Sequence, residues 1–247
     1  MRPRSWAVDR GVNELDETAA TYLSPEDLPV FCGLSSSIRD ELLRSAIQHS
    51  VAAGTVLFEQ GDAPNFQIVA MSGSAQLFGR STAGREVLIE VVRAPDLIIP
   101  AAVVTGEPYL MQARVPERSR FLLIQAAVFR EAVASDPLLA HVVIGSLAQQ
   151  FRRMVRQVKN LKLRSSAERV GCYILALAAR QGTPGRVMLP YGKSLIASEL
   201  GITRESFSRA LTGLEKSGIR VEGQTIIIVD RVRFAAECGP DSLIDGV

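Results

Sequence analysis

The chain has 247 residues, 47% of them hydrophobic and 22% charged, with 28 basic against 26 acidic side chains. That is enough chain for a substantial core and for two domains. The formal charge of +2 excludes a uniformly basic nucleic-acid-coating protein, so any basic surface has to be local.

Residues 1–24 are polar and aperiodic, and an N-terminal arm is assigned to 1–27. Its opening, MRPRSWAVDRGVNELDE, lacks the apolar run of a signal peptide. No stretch approaches the roughly 18 uninterrupted apolar residues of a membrane span, so a cytoplasmic protein with no membrane association is expected. SPEDLPVF reads as a turn or helix entry, and SSSIRDELLRSAIQ has the serine start and 3.6-residue spacing of a short helix. From about 51 to 127 the chain breaks into short β-prone runs: TVLFEQGD, FQIVAMSGSAQLFG, EVLIEVV, DLIIPAAVV and RFLLIQ. Turn formers such as GDAPN, STAG and TGEP separate them, which predicts a small barrel or sandwich over 28–134.

A helical pattern follows, with Pro137 in the first turn of a long helix and Ser135 or Asp136 as its cap. Ile144, Leu147, Phe151, Met154, Val158 and Leu161 are spaced 3, 4, 3, 4, 3, the seam of a coiled coil. The alternative is a helix lying on its own β-domain. Dimerisation through 135–163 is preferred because residues 151–164 hold six basic side chains and no acidic one beside the seam.

Over 164–247 three helical patterns precede two strands turning around Gly223, the outline of a winged helix. A helix-turn-helix needs a small residue for close approach, a glycine for a left-handed turn and an apolar lock in the second helix. Ala197, Gly201 and Phe207 stand at these places, at offsets of four and six, with Leu195, Leu200 and Ile202 filling the inside. The alternative is a helical hairpin without a DNA role. With Thr203 as cap, the second helix starts at Arg204 and turns Phe207, Ala210, Leu211 and Leu214 inward. Arg204, Glu205, Ser208 and Arg209 then lie on the outer face. Arginine grips guanine bidentately and glutamate accepts from cytosine, whereas a carboxylate is repelled from phosphate. Arg209, one turn on, is expected to hold Glu205. Lys193 and Ser206 suit phosphates.

This order of β-roll, long helix and winged helix resembles the CRP/FNR family of bacterial transcription regulators over about 28–236. FEQGD (58–62), SGSAQLF (72–78) and GREVLIEVV (84–92) are similar to its roll, and RESFSR (204–209) to its recognition motif. The resemblance implies an α+β fold with a cyclic-nucleotide-binding-like roll, a dimerisation helix and a winged helix-turn-helix. It also implies double-stranded palindromic DNA, a second copy of the chain and RNA polymerase as partners. Base contacts by the motif's glutamate and last arginine map onto Glu205 and Arg209. Ser208 is similar to the FNR-like branch, whose half-site resembles TTGAT, whereas Arg204 matches the CRP branch.

The family's cyclic-nucleotide cassette places Gly-Glu and Arg-Ser where this chain has Ile99-Pro100 and Tyr109-Leu110, so cyclic AMP is not the expected effector. Gly106-Glu107 falls in the predicted turn after the strand. An iron–sulfur cluster needs four cysteines. The chain has three, Cys32, Cys172 and Cys238, and its sensory part has only Cys32. QVKNLKLRSSAERVGCYILALA followed by RESFSR resembles the nitric-oxide and denitrification-responsive branch, some of whose members use haem. That makes His141 and His49 candidate iron ligands. The alternatives are an interface role for His141 and an exposed place before the first strand for His49. Other relatives respond to aromatic acids or need no effector. A ligand-binding protein whose winged helix makes protein contacts is a further alternative. No catalytic triad, carboxylate pair, phosphate loop or metal cluster stands out, so no catalytic residue or metal ligand is assigned.

Overall fold

The structure, a computed structural model, describes residues 24–245. Two 3-10 turns, Pro25–Asp27 and Pro29–Phe31, lead into α1 (Ser36–Arg44). Ser35 Oγ accepts the Ile38 amide and fixes the start of α1. Leu28 and Phe31 are already in the core, and Pro25–Asp27, at the end of the assigned arm, forms the turn expected from SPEDLPVF. The rest of that arm, through residue 23, lies outside the described residues.

Eight strands make two antiparallel sheets: β1 (Ala46–Val51), β2 (Val56–Phe58), β3 (Phe66–Ser72), β4 (Ser74–Arg80), β5 (Glu86–Arg93), β6 (Asp96–Ile98), β7 (Gln112–Arg114) and β8 (Ser119–Gln125). Their orders are β1-β8-β3-β6 and β2-β7-β4-β5. The runs QIVAM and FLLI are apolar at nearly every position because β3 and β8 are covered on both faces. Ile68, Ala70 and Phe121 point between the sheets, whereas Val69, Met71, Leu122 and Ile124 pack on helices through Phe31, Leu42, Phe129 and Leu139. Three expectations are corrected here. The helix read over SSSIRDELLRSAIQ stops at Arg44, and residues 46–48 open β1. The run DLIIPAAVV is not one strand: β6 stops at Ile98, and Pro100 opens the helix α2 (Pro100–Thr105), which Gly106 closes. Gly106-Glu107 therefore follows a helix. His49 lies within β1, paired with Phe121, and not before the first strand.

A bend of 111° separates α3 (Ala126–Ser135) from α4 (Pro137–Leu163). Asp136 caps α4 by accepting the Leu139 amide at 2.7 Å. Along α4, Ser146, Gln150, Arg153 and Gln157 form a polar ladder onto the roll. They bond Asp96, the Leu97 carbonyl, Glu90 with Asp96, and the Ile89 carbonyl. Of the predicted seam, Leu147 is half-buried against the roll-side core. Ile144, Phe151, Met154, Val158 and Leu161 form an outward stripe, 65% to 43% exposed. Three of the six basic residues beside that seam are engaged internally: Arg153 pairs with Glu90 and Asp96, Lys159 with Asp241 and Arg164 with Asp245. Among the described residues no single helix is long and apolar enough to cross a membrane.

The C-terminal unit packs α5 (Ser166–Gln181), α6 (Lys193–Glu199), α7 (Arg204–Leu214) and α8 (Arg231–Cys238) on a three-stranded sheet, ordered β10-β11-β9. Its strands are β9 (Arg186–Met188), β10 (Ile219–Glu222) and β11 (Thr225–Ile228), and α9 (Ser242–Asp245) ends the described chain. A capping box starts α5: Ser165 Oγ accepts the Glu168 amide and Glu168 accepts the Ser165 amide. That second bond holds the Glu168 carboxyl below its usual range. Besides β7 of the roll, two elements of this unit are absent from the sequence reading. The strand β9, three residues with only Val187 buried, carries too little periodicity to stand out. The four-residue α9 is too short to show a face.

Candidate nucleic-acid interface

The helix-turn-helix forms where its residue types predict. Ala197 and Phe207 are buried at the α6–α7 contact. Gly201 has φ +65°, and a Cβ added there would strike Leu161 of α4. Within the turn, Gly201 donates to the Ser198 carbonyl and Ile202 to the Ala197 carbonyl. Leu200 fills the inside as predicted, while Leu195 and Ile202 are half-buried and Ile196 is the fully buried residue of α6.

Thr203 caps α7, accepting the Ser206 amide at 3.1 Å. Phe207, Ala210, Leu211 and Leu214 are the buried residues of α7. Arg204, Glu205, Ser208 and Arg209 are all exposed on the face away from them. Lys193 is half-buried as the first residue of α6. Within the face one pairing is corrected: Arg209 donates to Ser206 Oγ at 3.3 Å and not to Glu205. Ser206 Oγ also accepts from Thr203 at 3.0 Å. Through Ser206, Arg209 is tied to the helix cap.

Three contributors are invisible in local patterns. Arg169 of α5 donates to the Leu200 carbonyl at 2.8 Å and to the Gly201 carbonyl at 3.5 Å, pinning the turn from behind. Ser198 of α6 accepts the Leu88 amide of the edge strand β5 at 3.0 Å. Arg93 of β5 donates to the Tyr191 hydroxyl at 3.3 Å. The helix-turn-helix therefore rests on the roll as well as on α4. No spacing rule links residue 88 to 198 or 93 to 191; only the fold does.

Glu199 lies at this contact. Burial pushes its carboxyl above the usual range, opposed by the charges of Arg93 and Arg180. A carboxyl raised in the folded state favours folding while protonated, and that contribution is lost as pH climbs through the folded value. Glu199→Gln is therefore expected to raise the thermal midpoint at about pH 7.5 and to leave it unchanged near about pH 4, measured by calorimetry. A lower midpoint at the higher pH would show the arginines outweighing burial.

The roll interior is filled where the cyclic-nucleotide cassette would need polar groups. Tyr109 stacks on Phe58 with centroids 3.7 Å apart and donates to the Phe66 carbonyl at 3.3 Å. Burial, then the charge of Asp62, push the Tyr109 hydroxyl up to about 12. Ile99 has φ 43°, the one positive-φ residue other than glycine among the described residues, and Pro100 beside it is buried. Leu110 is 82% exposed. These residues do not fit a ribose or a cyclic phosphate. A cavity of 180 Å³ between roll and α4 is lined by Val30, Val69, Leu97, Val142, Asp96 and Ser146 among others, below the roughly 300–1,000 Å³ usual for small-molecule sites. Larger clefts lie beside the β4–β5 hairpin, around Arg80 and Ser81. His49 and His141 are both exposed and line none of these cavities, so the geometry does not fit haem. Among the described residues, no group of three or more metal-ligating side chains occurs.

Comparison with known proteins matches two family models: the cyclic nucleotide-binding domain over 48–136 and the Crp-like helix-turn-helix domain over 168–237. The chain is similar to the CRP-like cAMP-activated global transcriptional regulator of Mycobacterium tuberculosis, 25% identical over 211 residues, covering 83% of this chain and 94% of that protein. It is also similar to the nitrogen fixation regulation protein FixK of Azorhizobium caulinodans, 33% identical over 119 residues, 46% of this chain and 48% of that one. In fold it is similar to a crp/fnr-family transcriptional regulator from Eubacterium rectale. The TM-score there is 0.70 at 18% identity, over 85% of this chain and 98% of the other.

Proposed function

For a chain that belongs to the CRP/FNR family of transcription regulators, uniting a cyclic nucleotide-binding roll with a Crp-like helix-turn-helix, we propose a homodimer that reads a palindrome of TTGAT-like half-sites. In this reading Arg204, Glu205, Ser208 and Arg209 contact base edges, and Lys193 and Ser206 contact phosphates. The observation that carries it is the α7 face itself. Glu205 stands exposed among two arginines and a serine on the first turns of a capped helix, where a carboxylate serves a base donor and not a phosphate. Ser208 and the lone sensory-part cysteine support the FNR-like, cluster-less branch that includes denitrification regulators. RNA polymerase is the partner through which such a protein acts, in the cytoplasm where DNA is.

The exposed stripe of α4 supports dimerisation. Two parallel copies of α4 would bury Phe151, Met154 and Val158 and set the recognition helices one helical turn of DNA apart. Phe151→Asp with Val158→Asp is expected to give monomers in sedimentation equilibrium and to abolish tight binding to the palindrome. A dimer that survives both changes places the interface elsewhere. The test of the whole reading is fluorescence anisotropy with a TTGAT-N4-ATCAA duplex. Salt-sensitive binding well above that to a scrambled duplex is expected, and equal binding to the two overturns it.

We further propose that the signal enters through the roll and reaches α4 by the ladder from Ser146 to Gln157, as a shift between two poses of the roll on the helix. Cyclic AMP and an iron–sulfur cluster are not the effector in this reading. The stacked Tyr109–Phe58 pair and Ile99-Pro100 favour a second version, in which the roll is a dimer scaffold and no effector is needed. Protein from haem-replete cells is then expected to show no stoichiometric Soret band; a full band would assign haem as the sensor and overturn the scaffold version.

A further inference from the structure

We propose that the C-terminal segment Gly239–Asp245 is a hinge pin, fixing the angle at which the DNA-binding unit leaves the long helix. The joint between α4 and α5 is only Arg164 and Ser165, both in extended conformation. With no helical hydrogen bonds across it, such a joint bends unless something spans it.

The tail spans it. Arg164 donates both guanidinium arms to Asp245, each at 2.7 Å, in a bidentate pair whose side chains are only 7% exposed. Arg156 donates to the Leu243 carbonyl at 3.1 Å, and Lys159 lies 3.8 Å from Asp241. Thus the C-terminal end of α4 is held at Arg156 and Lys159, and its C-cap at Arg164. On the other side α9 packs against α5, whose Cys172 donates to the Cys238 carbonyl just before the tail at 3.2 Å. The tail is rigid in itself: the Asp241 amide donates to Asp245 and the Leu243 amide to Asp241, both at 2.8 Å. Burial alone would raise the Asp245 carboxyl, but the bonds from Arg164 and the Asp241 amide outweigh it and hold it below the usual range.

A tail that only covered apolar surface would need no buried ion pair, and such pairs are weak as plain stabilisers. A fixed geometry is what a bidentate fork supplies. The pin also acts on the residue that joins the two helices, and the winged-helix core, around α5, α7 and the three strands, contains no residue of the tail.

Hydrogen exchange by mass spectrometry tests this on the full chain. Asp245→Asn is expected to speed exchange of amides 162–168 at least about tenfold while amides of α7, β10 and β11 keep wild-type rates. Arg164→Lys, which keeps the charge but loses the fork, should fall between. Arg164→Ala with Asp245→Asn should be no faster than the faster single variant, because the two act as one contact. A chain ending at Gly239 is the companion variant. It frees Arg164 to reach solvent without leaving a buried unpaired charge, and it should show the same localised change. Faster exchange confined to 239–245, or no change at 162–168, overturns the proposal. So does a uniform rise across 168–237, which would mean the tail is needed to fold the domain.

Discussion

Phe207→Ala is expected to cost the DNA-binding unit about 3–5 kcal/mol and to abolish site-specific binding, although Phe207 touches no DNA in the proposed complex. The side chain is fully buried, in one core with Leu175, Ile196, Ala197 and Leu211. It is the largest of the buried side chains that anchor α7 to α5 and α6, and truncation leaves a ring-sized void in a close-packed interior. The check is thermal unfolding followed alongside DNA anisotropy. The C-terminal unit should melt earlier while the roll, whose cores contain none of these residues, keeps its own transition. Full stability in the variant would show that α7 is held by other means.

Glu205→Ala and Arg209→Ala should behave in the opposite way. Each is expected to leave the thermal midpoint unchanged, because both side chains are exposed. Each should remove about 1–3 kcal/mol of discrimination between the palindrome and a mismatched duplex. Nonspecific, salt-dependent binding should persist, since it rests on phosphate contacts. Arg209 has a second dependence: its bond to Ser206 Oγ ties it to the Thr203 cap. Ser206→Ala should therefore weaken discrimination as a positioning change, more mildly than Arg209→Ala and without altering the reading of positions served by Glu205. Unchanged specificity in both Glu205→Ala and Arg209→Ala would mean that another face of the helix reads the bases.

Much of the architecture was legible because it is written in local rules. Thr203 caps the helix it precedes, as does Asp136, one of the two caps expected there, and capping depends on three or four neighbouring residues. The buried positions of α7 follow helical spacing without exception. Gly201 takes the left-handed conformation its place in the turn demands. The same local rules misled at DLIIPAAVV. β-branched residues raised the strand expectation, but Pro100 offers a preset φ for a first helical turn and Gly106 a closing one. Within the basic flank of α4, Arg153, Lys159 and Arg164 find partner acids far along the chain at Glu90, Asp96, Asp241 and Asp245, which no local pattern announces.

The recognition helix, its cap, its inward face and its outward residues were determined by the sequence alone, since each depends on contacts within one or two turns. What only the tertiary structure decided is how that helix is carried. Arg169 behind the turn, Ser198 on the edge of β5, Tyr191 with Arg93, and the tail across Arg164 each join residues separated by about thirty to more than a hundred positions. Hydrophobic periodicity and capping report the energy of one element in its own frame. The angle between elements is set by hydrogen bonds and ion pairs whose partners become neighbours only after the chain has folded, and no local pattern encodes them.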